Sequence, residues 1–226
     1  MRRSQINLAL KTAMEIASRL EFHLPGFAHW QPSDWPQKGS EYDEVRGAML
    51  GWDVTDFGSG NFSECGLTAF TIRNGMKGHP LYIKPYAEKL LFVMESQRTP
   101  YHFHYHKMED IINRGGGQLL IKLYNSTSDE RFAETAVRVC IDGELREVCA
   151  GGIVELSPGE SITLTPGLYH EFWAKEGTGA ALVGEVSMYN DDLSDNRFYH
   201  DLPRFSRIEE DEPPLRLLCN EYTKME

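Results

Sequence analysis

The sequence contains no apolar run long enough to cross a bilayer as a helix, and no CxxC pair among its four cysteines, Cys65, Cys140, Cys149 and Cys219. The first absence argues against a membrane partner. The second argues against a disulfide framework, and the scattered thiols read as reduced cysteines of a cytoplasmic protein. Nor is there a stripe of Lys or Arg. The net charge is −11, which argues against nucleic acid as a partner and fits a neutral small molecule such as a sugar. The start, Met1-Arg2-Arg3, is basic, but Lys11, Glu15 and Arg19 break up the apolar residues after it, so the segment does not read as an export signal. Internal repeats and low-complexity linkers are also lacking, and 226 residues are expected to form one domain.

The residues that are present change character along the chain. Over residues 4–21, Ile6, Ala9, Leu10, Ala13, Met14, Ala17 and Leu20 recur at three- and four-residue spacing, which predicts a helix with Ser4 as its cap. Pro25–Asp53 is rich in Pro, Gly and Trp without periodicity and reads as irregular cover, so 1–60 is an N-terminal extension. From about 65 to 190 short apolar strands alternate with turn residues, among them Asp142-Gly143, a two-residue hairpin signal. Eight or nine such strands predict a mainly β protein, a barrel or sandwich. Segment 191–226 is expected to pack on it.

The densest chemistry lies in Tyr101-His102-Phe103-His104-Tyr105-His106-Lys107-Met108-Glu109. On a strand alternate side chains share a face, so His102, His104 and His106 point one way. Two such imidazoles with a carboxylate that returns to the site suit Mn, Fe, Co, Ni or Zn. A later turn–strand unit, Pro166-Gly167-Leu168-Tyr169-His170, aims a further histidine back at them.

His102-Phe103-His104, four residues, Glu109, six residues and Gly116 resemble the first ligand motif of the cupins, with Ser96 where that motif usually opens on glycine. Gly167, two residues and His170 resemble the second motif. The resemblance implies a cupin-type β-barrel and an ion held by His102, His104, Glu109 and His170, with His106 left as a pocket wall. Longer blocks resemble the D-lyxose isomerase family: Phe27–Trp30, Trp52–Gly58, Met108–Gly117, Gly184–Met188 and Leu217–Tyr222. That likeness runs through the chain. It implies a homodimeric aldose–ketose isomerase interconverting D-lyxose and D-xylulose, with D-mannose and D-fructose as secondary substrates, and with manganese as the metal.

Such a reaction moves a proton between C1 and C2 through a cis-enediol, so it needs an acid or base at those carbons. Lys107 lies beside the ligands, although odd parity turns it outward on a regular strand. Lys84 and Lys89 are candidates for binding substrate hydroxyls, and each of the three lysines could equally be a solvated charge. The acidic run Glu209-Glu210-Asp211-Glu212 offers a base, Glu210 or Glu209, if it reaches the open end of the barrel, and a solvated face otherwise. Arg216 and Glu221 are lesser candidates for contact with substrate. An iron-dependent dioxygenase and a non-catalytic sugar-binding cupin are the alternatives. A phosphosugar isomerase would need a compact basic cradle, which the sequence does not offer.

Overall fold

Alternation of buried and exposed positions along short strands organises this chain, and the computed structural model describes it over residues 1–192 and 194–222. The helix α1 spans Arg3–Arg19 and a short helix α2 spans Asp43–Gly47. The strands are β1 (Gly51–Thr55), β2 (Leu67–Arg73), β3 (Tyr86–Val93), β4 (Thr99–His104), β5 (Glu109–Gly116), β6 (Leu119–Asn125) and β7 (Val137–Ile141). They continue as β8 (Glu144–Val148), β9 (Ile153–Leu156), β10 (Ser161–Leu164), β11 (Leu168–Ala174), β12 (Ala181–Met188) and β13 (Asn196–Phe198). The nine expected strands all appear. Asp142 and Gly143 carry the positive φ values, 48° and 86°, that a tight hairpin turn requires.

Two antiparallel sheets result. The larger runs β1-β2-β3-β12-β5-β10-β7-β8 and the smaller β13-β4-β11-β6-β9. Their inner faces meet over a core that includes Leu91, Val93, Ile111 and Val183 from the first, and Leu119, Ile121, Leu123 and Phe172 from the second. This is the mainly β, cupin-like architecture the sequence predicts, with the helix at its N-terminal end.

Helix α1 lies on the outer face of the larger sheet, where Ile6, Leu10, Ala13 and Ile16 meet Val54, Phe70, Leu90, Phe92 and Leu182. Each large side chain so buried contributes about 1.5–3 kcal/mol. Strands β1 and β3 are therefore covered on both faces. That is why Gly51–Thr55, buried at all five positions, lacks the alternation that marks a one-sided strand and reads in sequence as irregular cover.

The start of α1 differs from expectation. Ser4 lies inside the helix rather than capping it. The Asp211 carboxylate supplies the cap from far along the chain, accepting the Ser4 N–H at 2.9 Å and its hydroxyl at 2.6 Å. Glu209 O accepts the Arg3 N–H, and Glu212 accepts from the Asn7 amide. The buried Arg3 guanidinium grips Glu210 through Nε (2.8 Å) and Nη2 (2.6 Å), and also holds Glu221. The acidic run thus docks against the positive end of a helix, where negative charge is favoured.

Candidate active site

The histidines owe their positions to sheet register. Within the smaller sheet, His102 on β4 stands directly opposite His170 on β11, and their ring centroids are 4.1 Å apart. His104, two residues on, shares the inner face of β4. Gly167, at φ +77°, turns the chain into β11, and its N–H donates to His104 O at 3.0 Å. One imidazole nitrogen from each of His102, His104 and His170 lies within 4.8 Å of the other two. That is close to the span of two metal–nitrogen bonds of about 2.1 Å each.

Glu109, the first residue of β5, reaches across from the larger sheet. Its Oε1 lies 3.3 Å from His104 Nε2 and 3.2 Å from His170 Nε2. Neither nitrogen has a hydrogen-bond partner of good geometry among the described residues, although both are buried. The remaining ring nitrogens of His102 and His170 face the carbonyls of Pro100 (2.8 Å) and Leu168 (3.0 Å). Donation from Nδ1 to those carbonyls leaves each Nε2 as a lone-pair donor turned to the centre, the arrangement usual for a metal-ligating imidazole. Burial, then repulsion from His170 and His104, keeps His102 neutral far below the usual imidazole range. Burial lowers His104 as well. Burial opposes the charge on Glu109, but Lys107 and His104 overcome it and hold its carboxyl well below the ordinary range. Imidazole nitrogens with an ionised carboxylate beside them are the donor set a divalent ion takes.

Strand parity ends at His104, and with it the expected placement of two neighbours. The Asp195 carboxylate accepts the N–H groups of His106 (2.9 Å) and Lys107 (3.0 Å), fixing a turn between β4 and β5. His106 therefore emerges into solvent and is not a wall of the cavity. Lys107 turns inward, 4% exposed, with Nζ 2.7 Å from Glu109 and 2.8 Å from Glu185. Burial works against its charge, but these two carboxylates more than offset the effect and raise its pKa.

Beyond Lys107 a ladder of buried charges crosses the cavity. Glu185 on β12 is 3.8 Å from Lys89 on β3, Lys89 is 3.5 Å from Asp192, and Arg204 Nη2 bonds both Asp192 (3.1 Å) and Asp53 on β1 (2.6 Å). Burial disfavours the charge of Asp192, yet Arg204 and Lys89 hold its carboxyl far below normal. All of these residues line one cavity with the histidines.

Of the sequence-derived candidates, the cavity thus gathers His102, His104, Glu109, His170, Lys107 and Lys89. It does not gather the others. Lys84 pairs with Glu44. Glu221 is held by Arg3 and by the Leu218 N–H, and Arg216 bonds the carbonyl of Leu215. Glu209 and Glu210 sit at the start of α1, with the Glu210 side chain 57% exposed, so neither stands where a base would be needed. Glu185, Asp53, Asp192 and Arg204 were not singled out as site residues. Parity points to Glu185 and Lys89: each is a charge in step with inward apolar residues, Val183 on one strand and Leu91 on the other. No local pattern marks Asp192 or Arg204, which reach the cavity from irregular segments.

Comparison with known proteins defines the class first and the family second. The fold is that of L-ribose isomerases. It superposes on the Cellulomonas parahominis enzyme with L-ribose at a TM-score of 0.61 (15% identity, 92% of this chain and 98% of that one). The Geodermatophilus obscurus enzyme gives 0.62 at 14% identity, over the same shares. In sequence, a model of the D-lyxose isomerase family matches residues 1–222. The chain is 51% identical to the D-lyxose/D-mannose isomerase of Serratia proteamaculans over 225 residues, 99% of each chain. It is also 51% identical to that of Escherichia coli O157:H7, over 98% of each. The chain belongs to the D-lyxose isomerase family, a family of sugar isomerases.

Proposed function

We propose that this chain interconverts D-lyxose and D-xylulose, and secondarily D-mannose and D-fructose, with a divalent ion, manganese first, held by His102, His104, Glu109 and His170. The observation that carries the reading is the buried cluster of partnerless imidazole nitrogens converging on Glu109, beside a second carboxylate, Glu185, that is free of the cluster. When bound, such an ion supplies Lewis-acid polarisation of the substrate carbonyl and stabilises charge developing on oxygen.

The chain's own residues supply the rest. Glu185 is the side chain we assign to proton transfer, removing a proton from C2 of the open-chain aldose as O1 takes one up to give a cis-enediol, and returning it to C1 as the O2 hydroxyl gives its proton up. Its two lysine neighbours keep a carboxylate in the cavity without engaging the histidines. Lys107, already donating to Glu109 and Glu185, is placed to donate to a sugar oxygen on the same side. The cavity's cations Lys107, Lys89 and Arg204 are all matched by carboxylates, Glu109, Glu185, Asp192 and Asp53. A neutral sugar fits such walls, whereas a sugar phosphate would have to compete with these carboxylates for each of the three cations. We further read the chain as one domain, acting as a cytoplasmic homodimer; the homodimer rests on the family resemblance, and the four unpaired cysteines agree with the location.

Exhaustive chelation followed by dialysis is expected to lower turnover of D-lyxose at least about 100-fold, since the ion is asked for several kcal/mol of barrier. Added Mn²⁺ restores it. The assay is anaerobic conversion to D-xylulose followed by NMR. Oxygen consumption linked to turnover, or full activity after metal removal, would sink the proposal in favour of a dioxygenase or a metal-independent enzyme.

A further inference from the structure

We infer that Asp53 Oδ1 and Arg204 Nη1 form a hydroxyl-binding subsite that takes the terminal hydroxyl of the open-chain sugar. Both atoms are buried and neither has a hydrogen-bond partner among the described residues. Their sister atoms are fully engaged, because Arg204 Nη2 donates to Asp53 Oδ2 at 2.6 Å and to Asp192 Oδ2 at 3.1 Å. The pair is therefore held rigidly and keeps one free acceptor and one free donor, on two residues that both line the cavity. A hydroxyl carries one donor and two acceptor lone pairs, the complement of such a pair. Buried polar atoms left unpaired are costly, so filling this place is favourable.

Position assigns the subsite to the sugar's tail. Asp53 lies on β1, and the larger sheet runs from β1 through β2, β3 and β12 to β5, where Glu109 stands. Inside the cavity the free pair stands at the far end of the charge ladder that begins at Glu109 and runs through Lys107, Glu185, Lys89 and Asp192 to Arg204 and Asp53. Arg204 arrives from the C-terminal segment and is pinned there, its carbonyl accepting from the Thr55 hydroxyl at 3.0 Å. An aldose with its carbonyl at the histidines extends toward this wall. Charge argues against a phosphate in the same place, because Arg204 already neutralises part of two carboxylates.

The inference rests on the isomerase reading, and a substrate–variant comparison separates the two. D-lyxose and 5-deoxy-D-lyxose are assayed with the manganese-loaded wild type and with Asp53→Ala. In the wild type, removal of the terminal hydroxyl is expected to lower kcat/KM about 30-fold or more, chiefly through KM, because the site's polar atoms are then left unpaired. In Asp53→Ala the same deletion is expected to cost no more than about threefold. Comparing wild type with variant cancels the different open-chain fractions of the two sugars. Calorimetry on the wild type provides a measurement that needs neither turnover nor a folded variant: D-arabinitol, the polyol of D-lyxose, is expected to bind about tenfold more tightly than its counterpart lacking that hydroxyl. Equal use of both sugars by the wild type, a preference that persists in Asp53→Ala, or equal affinity for the two polyols overturns the subsite. Conversion of neither sugar by the wild type overturns the isomerase reading, and the subsite with it.

Discussion

Replacing His104 with Ala is expected to strip the protein of tightly bound metal and to lower kcat/KM for D-lyxose by about three orders of magnitude or more. The reasoning starts at the ring. His104 is 5% exposed, both of its nitrogens lack hydrogen-bond partners among the described residues, and Nε2 faces Glu109 at 3.3 Å. A structural histidine in such a place would cost stability for nothing, because a buried polar atom is normally paired. A ligand histidine is compensated by the ion. Loss of one donor from a set of four weakens binding directly, and Glu109 is left facing Lys107 and His170. At about 1.4 kcal/mol per tenfold, a Lewis acid contributing about 4 kcal/mol accounts for the thousandfold loss. Metal content by elemental analysis, read beside turnover and the melting temperature, checks this. A folded variant that keeps both its ion and its rate would remove His104 from the site.

The second large effect is expected at Glu185. Glu185→Gln keeps the shape of the side chain and removes the charge and the basic oxygen. Metal content is expected to be unchanged, because Glu185 contacts Lys107 and Lys89 and not the histidines. Turnover is expected to fall by about 10²–10⁴, the range general acid–base catalysis supplies, with KM changed far less. Glu210→Gln is the matched control. Its carboxylate pairs with Arg3 at the start of α1, away from the cavity, and kcat is expected to stay within about twofold of wild type, as for substitutions at partly exposed ion pairs. The reverse pattern, a slow Glu210 variant and a fast Glu185 variant, would return the base to the C-terminal acidic run.

The contrast between those two glutamates shows where the sequence was legible. The His102, His104 and His170 set was readable because strand parity and a glycine turn act over a few residues, and β4 obeys parity until it ends. Beyond His104 the rule stopped applying. Asp195, nearly ninety residues on, fixes the turn that expels His106 and draws Lys107 inward, and no local pattern announces that contact. Ser96 shows the opposite case. It stands where the cupin motif carries glycine and adopts φ +59°, so the backbone demand is kept although the residue that meets it most cheaply is absent.

The acidic run was left open in the sequence, between a base and a solvated face, for a related reason. A cluster of carboxylates near an apolar stretch has two physical uses, a reactive base or a partner for positive charge. The choice depends on what lies opposite in space, and here it is Arg3 and the amides of α1, some two hundred residues away in the chain. Strand β1 was hidden by burial on both faces, and with it Asp53, an acid inside a strand that shows no alternation. Long-range pairing therefore decided what local patterning could not: which acids face the cavity, and which hold the helix.

The most direct measurement is a structure of the manganese-loaded protein with D-xylulose bound. The expected result is one ion on His102, His104, Glu109 and His170, the C1–C2 end of the sugar beside it, and the Glu185 carboxylate within hydrogen-bond reach of those two carbons or their oxygens. An ion seated elsewhere, or a sugar whose C1 and C2 face a different carboxylate while Glu185 stays locked between its lysines, would contradict it.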